Sequence, residues 1–320
     1  MVMQKNKKYD IVGIGNAIVD LIAEVDDSYL EKNSINKGSM SLVDYDVANK
    51  IGNEVDIVKT ISGGSVANSI VCIAQQNLKT VFIGKVNQDE LGEKFAKGLA
   101  EENVEFKITK SLANKHTARC IILVSTDAER TMNTYLGVSQ ELTEEDVDLN
   151  IIEESSILYL EGYLWDLDNA KKAIKKSIST AINSETKIAF SISDAFCVDR
   201  FREEFIDLVN NSADIIFANE SEIKSLFETS ELETAIKKCQ DTKKIFAVTL
   251  GDKGAKIIYK NEIVNIKAEI IDKLVDTTGA GDLFAAGFLA EYIRSQDLES
   301  SGKEGVKMAS IIIQQFGARV

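Results

Sequence analysis

The chain has no proline, a single histidine (His116), a single tryptophan (Trp165) and a formal net charge of -14. Some of these shortages remove a class of function. A surface this short of positive charge repels phosphate backbones and anionic lipid, so nucleic acid and membrane are poor partners. The four cysteines, Cys72, Cys120, Cys197 and Cys239, show no C-x-x-C spacing. A disulfide framework or zinc site is therefore not expected, and reduced thiols in the cytoplasm fit best. His116 lacks the companions a metal site needs and is expected at the surface, at the hinge of a lid. No apolar run reaches 18 residues, and the run at 11–14 is too short for a signal segment or a membrane span. The absence of proline, with lysine dominating the bases, is compositional bias with no mechanistic content. The opening Gly13-Ile14-Gly15 also lacks something. Ile18 stands where a dinucleotide fingerprint needs its third glycine, and no acidic second strand follows. A dinucleotide oxidoreductase is thereby disfavoured.

What is present is an alternation of strands and helices over 320 residues, of which 44% are hydrophobic. That is ample for a core. Apolar runs at 9–14, 80–86, 157–160, 187–192, 214–218 and 245–250 read as buried strands. Helical periodicity falls near 66–75, 89–102, 168–183, 199–211 and 220–240. This order predicts an α/β fold with a parallel sheet covered by helices on both faces. A hairpin follows at 255–259 and 262–266, and a closing helix at 305–316. Two stretches break the alternation: 16–42, and a hairpin within 116–135. Both are expected to form a small β-lid. Residues 1–15, 43–115 and 136–320 then form the core.

The stretch that organises the chemistry is Asp276-Thr277-Thr278-Gly279-Ala280-Gly281-Asp282, running into the apolar Leu283-Phe284-Ala285-Ala286-Gly287-Phe288-Leu289. A glycine-rich turn opening a helix presents free N–H groups and a positive dipole end to an anion. Asp282 is out of place in an anion site unless it takes a proton from whatever attacks the anion. A general base beside a cradle for a transferring phosphoryl group meets that condition. An acidic first turn is common in any helix, but the whole heptapeptide is far more specific. Gly63-Gly64-Ser65 opens the helix at 66–75 and lets a ligand lie against backbone. A tight loop with a serine cap would look the same.

This heptapeptide and its helix resemble the C-terminal signature of the ribokinase (PfkB) family of carbohydrate and nucleoside kinases, most closely the adenosine-kinase-like branch. The resemblance spans nearly the whole chain. It implies a ribokinase-like three-layer α/β/α sandwich with a mostly parallel central sheet and a small β-lid over the acceptor. It implies Asp282 as catalytic base and the amides of Gly279, Ala280 and Gly281 as anion hole. Asn16 and Asp20 at the start, and Gly64, Ser65 and Asn68 in the loop, match the acceptor-binding motifs, with Asp20 and Asn68 suited to vicinal hydroxyls. Glu129-Arg130-Thr131 matches the lid pattern, which places Arg130 over the transferring phosphate. Phe196 matches the position that sandwiches a base. Asn219 and Glu222 match the N-x-x-E motif, in which Glu222 orders magnesium through water. Asn219 equally suits a helix cap. Thr249, Gly251 and Gly254 match the nucleotide cradle. Asp276 and Thr278 match a monovalent-cation loop that would take potassium. The resemblance thus implies ATP and Mg2+ as cofactors, and a nucleoside or sugar as small-molecule partner. The assembly is expected to be a monomer or a homodimer through the lid. Adenosine is the expected acceptor, on the strength of Asn16 with Asp20, Gly64-Ser65 with Asn68, and Phe196. A free sugar such as ribose or fructose is the alternative, followed by a non-catalytic ligand-binding protein on the same scaffold.

Overall fold

The computed structural model describes residues 7–108, 115–127 and 129–319. Its main sheet runs in space from Glu262–Ile266 through Ala255–Tyr259, Ile245–Thr249, Ile215–Asn219, Lys187–Ser191, Ser155–Glu161, Tyr9–Ile14 and Thr80–Gly84 to Glu105–Ile108. Every pairing from Ile245–Thr249 to Glu105–Ile108 is parallel, and the late hairpin adds two antiparallel strands at one edge. Side chains alternate across these strands, so the apolar runs divide between two cores. Ile11, Phe82, Ile157, Tyr159, Phe217 and Ala247 face one core with the helices Ser65–Gln75, Ala280–Ser295 and Leu298–Ile312. Val12, Ile14, Leu158, Leu160, Phe190 and Val248 face the other, with Asp168–Asn183, Ala195–Asn211 and Leu232–Thr242. The expected three layers are present.

The second sheet has the order Met40–Leu42, Arg130–Tyr135, Ala118–Val124, Ile18–Glu24 and Ile57–Gly63. The lid expected from 16–42 and 116–135 alone is therefore short of one strand. Ile57–Gly63, assigned from sequence to the core range 43–115, pairs antiparallel with Ile18–Glu24 instead. Its β-branched composition suits a strand. It also carries the chain from the second sheet straight into Gly64 and the helix Ser65–Gln75, so that sheet and that helix share one continuous backbone.

Trp165 is buried against Phe190 and Phe205, a packing role. His116 lies on the Tyr45 ring at 4.0 Å between centroids and faces Asp89. No described helix is long and apolar enough to cross a membrane.

Candidate active site

The helix Ala280–Ser295 is buried on nearly all sides over Leu283 to Ala290, as its apolar sequence requires. Its N-cap, Gly279, has φ +78, a conformation that favours glycine. The Ala280 N–H donates to the Thr277 carbonyl oxygen, so it closes the turn and is not available to an anion. This corrects the expectation of an anion hole containing Ala280. Among the described residues, the Gly279, Gly281 and Asp282 N–H groups make no backbone hydrogen bond. A Cβ built on Gly281 meets nothing within 4 Å, so open space lies in front of this turn.

Asp282 faces that space. Its Oδ1 accepts from Ser65 Oγ at 2.6 Å and its Oδ2 from Asn68 Nδ2 at 3.0 Å. Ser69 Oγ donates to the Asp282 carbonyl oxygen at 2.8 Å. Burial pushes the carboxyl above its ordinary range, and the two side-chain donors oppose that shift. A base with a raised pKa is suited to taking a proton near neutrality. The cavity in front of it measures about 260 Å³. It is lined by Ser65, Gly279, Gly281 and Asp282 on one side and by Asn219, Glu222 and Thr249 on the other. These residues come from strand ends and helix starts, where open parallel sheets bind ligands. A second cavity shares Asn219 and Thr249 and extends to Gly251.

Asn219 and Glu222 form a reciprocal cap. The Asn219 N–H and Nδ2 donate to the two Glu222 oxygens at 2.9 and 2.6 Å, and the Glu222 N–H donates to Asn219 Oδ1 at 2.9 Å. The cap and the cavity wall are the same groups. Burial pushes Glu222 up to about 7. One carboxylate and one amide oxygen beside a cleft fit a magnesium ion that keeps most of its ligands as water and phosphate. Among the described residues no group of three or more histidine, cysteine or acidic side chains could hold a metal on its own.

Two residues missed from sequence tie the Asn16 and Asn68 segments to the site. Glu161, buried at the end of its strand, accepts from the Asn16 N–H at 2.8 Å, Asn16 Nδ2 at 2.7 Å and the Val66 N–H at 3.0 Å. The last of these belongs to the first turn of Ser65–Gln75, where N–H groups lack intrahelical partners. Burial drives the Glu161 carboxyl up to about 7 against the pull of these donors. Glu161→Gln would turn an amide NH2 onto one of them. We expect it to lower stability by about 1–3 kcal/mol, read as a drop in denaturation midpoint. An unchanged midpoint would show that the three bonds contribute nothing. The second missed residue is Arg319, whose Nε donates to Asn68 Oδ1 at 3.2 Å.

The other expected residues divide. Gly64 (φ +103) must be glycine, because a Cβ there would strike the Asn16 carbonyl oxygen. Asn16 is buried, with Glu161 on one face and Ser139 Oγ donating to its Oδ1, so it supports the cavity from behind. Asp20 lies near Asp282, Arg130 and Arg319, and burial pushes it up to about 7. Arg130, matched to the lid pattern, is a strand residue. It opens the strand Arg130–Tyr135, is buried, and pairs with Asp276 at 2.9 Å. Asp276, expected as a cation ligand, is thus paired with a guanidinium in this structure. Its Oδ1 accepts from the Thr278 N–H and its Oδ2 from the Gly317 N–H, so a positive charge and two donors already satisfy it. Gly254, expected in the nucleotide cradle, has φ +89. It closes a turn packed on the Ile266 carbonyl and lies outside both cavities. Phe196 is 66% exposed, lies under the Arg200 guanidinium, and does not line the cavity.

A family model for pfkB family carbohydrate kinases matches residues 10–320. The chain belongs to that family. It is a phosphotransferase that acts on hydroxyl groups, and kinases of this family generally use ATP with Mg2+. The adenosine kinase of Saccharomyces cerevisiae is 26% identical over 332 residues, covering 96% of this chain and 95% of that one. The solved adenosine kinase of Sinorhizobium meliloti is 41% identical, with a TM-score of 0.90 over 98% of this chain and 96% of its own. A probable sugar kinase from Rhizobium etli is 39% identical, with a TM-score of 0.91 over 98% of this chain and 95% of its own. Adenosine and sugar kinases are thus both among the family members that this chain resembles.

Proposed function

We propose that this chain transfers the γ-phosphoryl group of ATP to the primary hydroxyl of a nucleoside, adenosine, giving AMP and ADP. The observation that carries the reading is the Asp282 carboxylate. It is held by Ser65 and Asn68 at the mouth of a helix whose Gly281 and Asp282 amides have no backbone partner and whose first turn lines the cavity. The acceptor oxygen attacks the γ-phosphorus while Asp282 takes its proton. The bond to the β–γ bridging oxygen breaks, and ADP leaves with the electron pair. The amides of Gly281 and Asp282 face the charge on the phosphoryl oxygens. Asn219 and Glu222 would hold magnesium through water, and that ion would offset charge on the phosphates.

Adenosine is favoured over a free sugar by the lid. Among the described residues the Asp20 carboxylate accepts no hydrogen bond from the protein, so it is open to a hydroxyl donor. Ile18 and Ile22 share its face of the strand by alternation, and they cluster with Cys120, Ile122 and Met132. An apolar surface around a carboxylate suits a ligand with both a flat base and a ribose diol.

The test is kcat/KM for adenosine, 2′-deoxyadenosine, ribose and fructose, on the unmodified protein and on Asp20→Ala. Adenosine should be the best acceptor. Its 2′-deoxy analogue should lose roughly ten- to a hundred-fold, the effect of one hydrogen bond to a charged group. Asp20→Ala should impair adenosine and narrow that gap. Ribose or fructose as the best acceptor would replace the nucleoside with a free sugar and leave the kinase assignment standing.

A further inference from the structure

The segment after the helix Leu298–Ile312 runs back into the active site. The Ile313 carbonyl accepts from the N–H groups of Val275 and Asp276 at 2.8 and 3.1 Å. The Gly317 N–H donates to Asp276 Oδ2 at 3.0 Å. Ala318 packs on Gly279 so closely that a Cβ there would lie 2.6 Å from its own. These contacts deliver Arg319 to Asn68 and Ser62. Its Nε donates to Asn68 Oδ1 at 3.2 Å and its Nη1 to Ser62 Oγ at 2.8 Å.

A carboxamide has an accepting end and a donating end of nearly the same shape. Nothing in Asn68 itself decides which end meets Asp282. A guanidinium has donors only. With Arg319 Nε on Oδ1, the Nδ2 end must face Asp282, and it does, at 3.0 Å. The bond from Arg319 to Ser62 fixes the guanidinium on a lid strand, so the direction is set from outside the Asn68–Asp282 pair.

We propose that Arg319 is a positioning residue for the reaction: it orients the Asn68 amide so that Asn68 donates to the Asp282 carboxylate. This rests on Asp282 being the general base. Without Arg319 the amide can turn its oxygen toward Asp282. The carboxylate then loses a donor and gains a repulsive neighbour, and both changes favour its protonated form. The other titratable groups around Asp282 are Asp20 from the lid, Tyr159 and Glu161 from the strand Ser155–Glu161, and Tyr163 beyond it. Arg319 also acts on Asp20 by charge alone, and a direct charge effect on Asp282 would shift it in the same direction. A simple deletion therefore does not separate the two routes, whereas a double-mutant cycle does.

The experiment is the pH profile of kcat/KM, with the best acceptor found, for the unmodified protein, Arg319→Ala, Asn68→Ala and the double variant. Arg319→Ala should lose about ten- to a hundred-fold through misplacement of the base, and its acid limb should move to higher pH. In the Asn68→Ala background, Arg319→Ala should shift the limb no further. Additive shifts would assign Arg319 a direct charge effect and overturn the proposal. So would a loss that is equal at every pH. If Arg319→Ala does not fold, Arg319→Lys is measured in its place against the same outcomes. Lysine keeps the charge but does not present two rigid donors to Ser62 and Asn68 together. An acid limb missing from the unmodified protein would instead refute Asp282 as base, a result distinct from failure of the Arg319 proposal.

Discussion

Asp282→Asn should cut turnover by at least about 100-fold, the low end of the contribution of general acid–base catalysis. The substitution keeps size and removes the ability to take a proton. Its local environment should tolerate the change. Ser65 Oγ now donates to Oδ1 at 2.6 Å, and a hydroxyl can rotate to accept instead. Asn68 Nδ2 can keep donating to the remaining oxygen. The fold and nucleotide affinity should therefore change little, and the loss should fall on kcat. The unmodified enzyme should also lose activity as the pH falls through the Asp282 pKa. Because burial raises that pKa, the acid limb should lie above the ordinary carboxylate range. Steady-state kinetics from pH 4 to 9, with nucleotide binding measured separately, check both statements. Turnover close to that of the unmodified protein in the Asn variant would remove Asp282 from the mechanism.

The parts of this site that were legible in the sequence were local. Asp276 to Asp282 carries its own turn, helix start and acid in one stretch, and the structure keeps these together. Gly64, Ser65 and Asn68 likewise begin a helix, and that helix start meets Asp282. What was not legible depended on long-range contacts. Glu161 looks like the polar end of an apolar strand until Asn16 and Val66, far away in sequence, are brought to its oxygens. Arg319 lies 251 residues from Asn68. The one sequence signal for it was its rarity as an arginine in an acidic chain.

The residues whose surroundings differ from those their motifs suggest have the same origin. Arg130 follows Asp127 and Glu129 in what reads as an exposed turn, yet Asp276, from the opposite end of the chain, draws it inward. Asp276 was assigned to a cation through its motif, and it meets one, in the form of a guanidinium. Phe196 follows the end of a strand, as a base-stacking residue should. The helix Ala195–Asn211 instead turns it outward beneath Arg200. The strand Ile57–Gly63 carries no hairpin signal, because its partner, Ile18–Glu24, is remote in sequence.

Gly281→Val should abolish most turnover while leaving the protein folded. The two halves of that expectation come from one observation. A Cβ at Gly281 meets nothing within 4 Å, and its backbone is not in the left-handed region that favours glycine. A side chain there costs the native structure no clash, and replacing glycine by valine in a helix changes stability by only about a few tenths of a kcal/mol, in favour of valine. The open space is, however, the mouth of the cavity, in front of the Gly281 and Asp282 amides. A branched side chain fixed at χ1 would fill it. The phosphoryl oxygens would be held away from their donors and from Asp282. Loss of a single donor of this kind costs about a hundred- to a thousand-fold, and displacing the whole group should cost no less. Gly279 supplies the contrast. A Cβ there would lie 2.6 Å from Ala318, and its φ is +78, so Gly279→Val should unfold or distort the loop. Thermal denaturation and turnover on both variants separate the cases. A Gly281→Val protein that is folded and fully active would mean that these amides do not face the transferring phosphate.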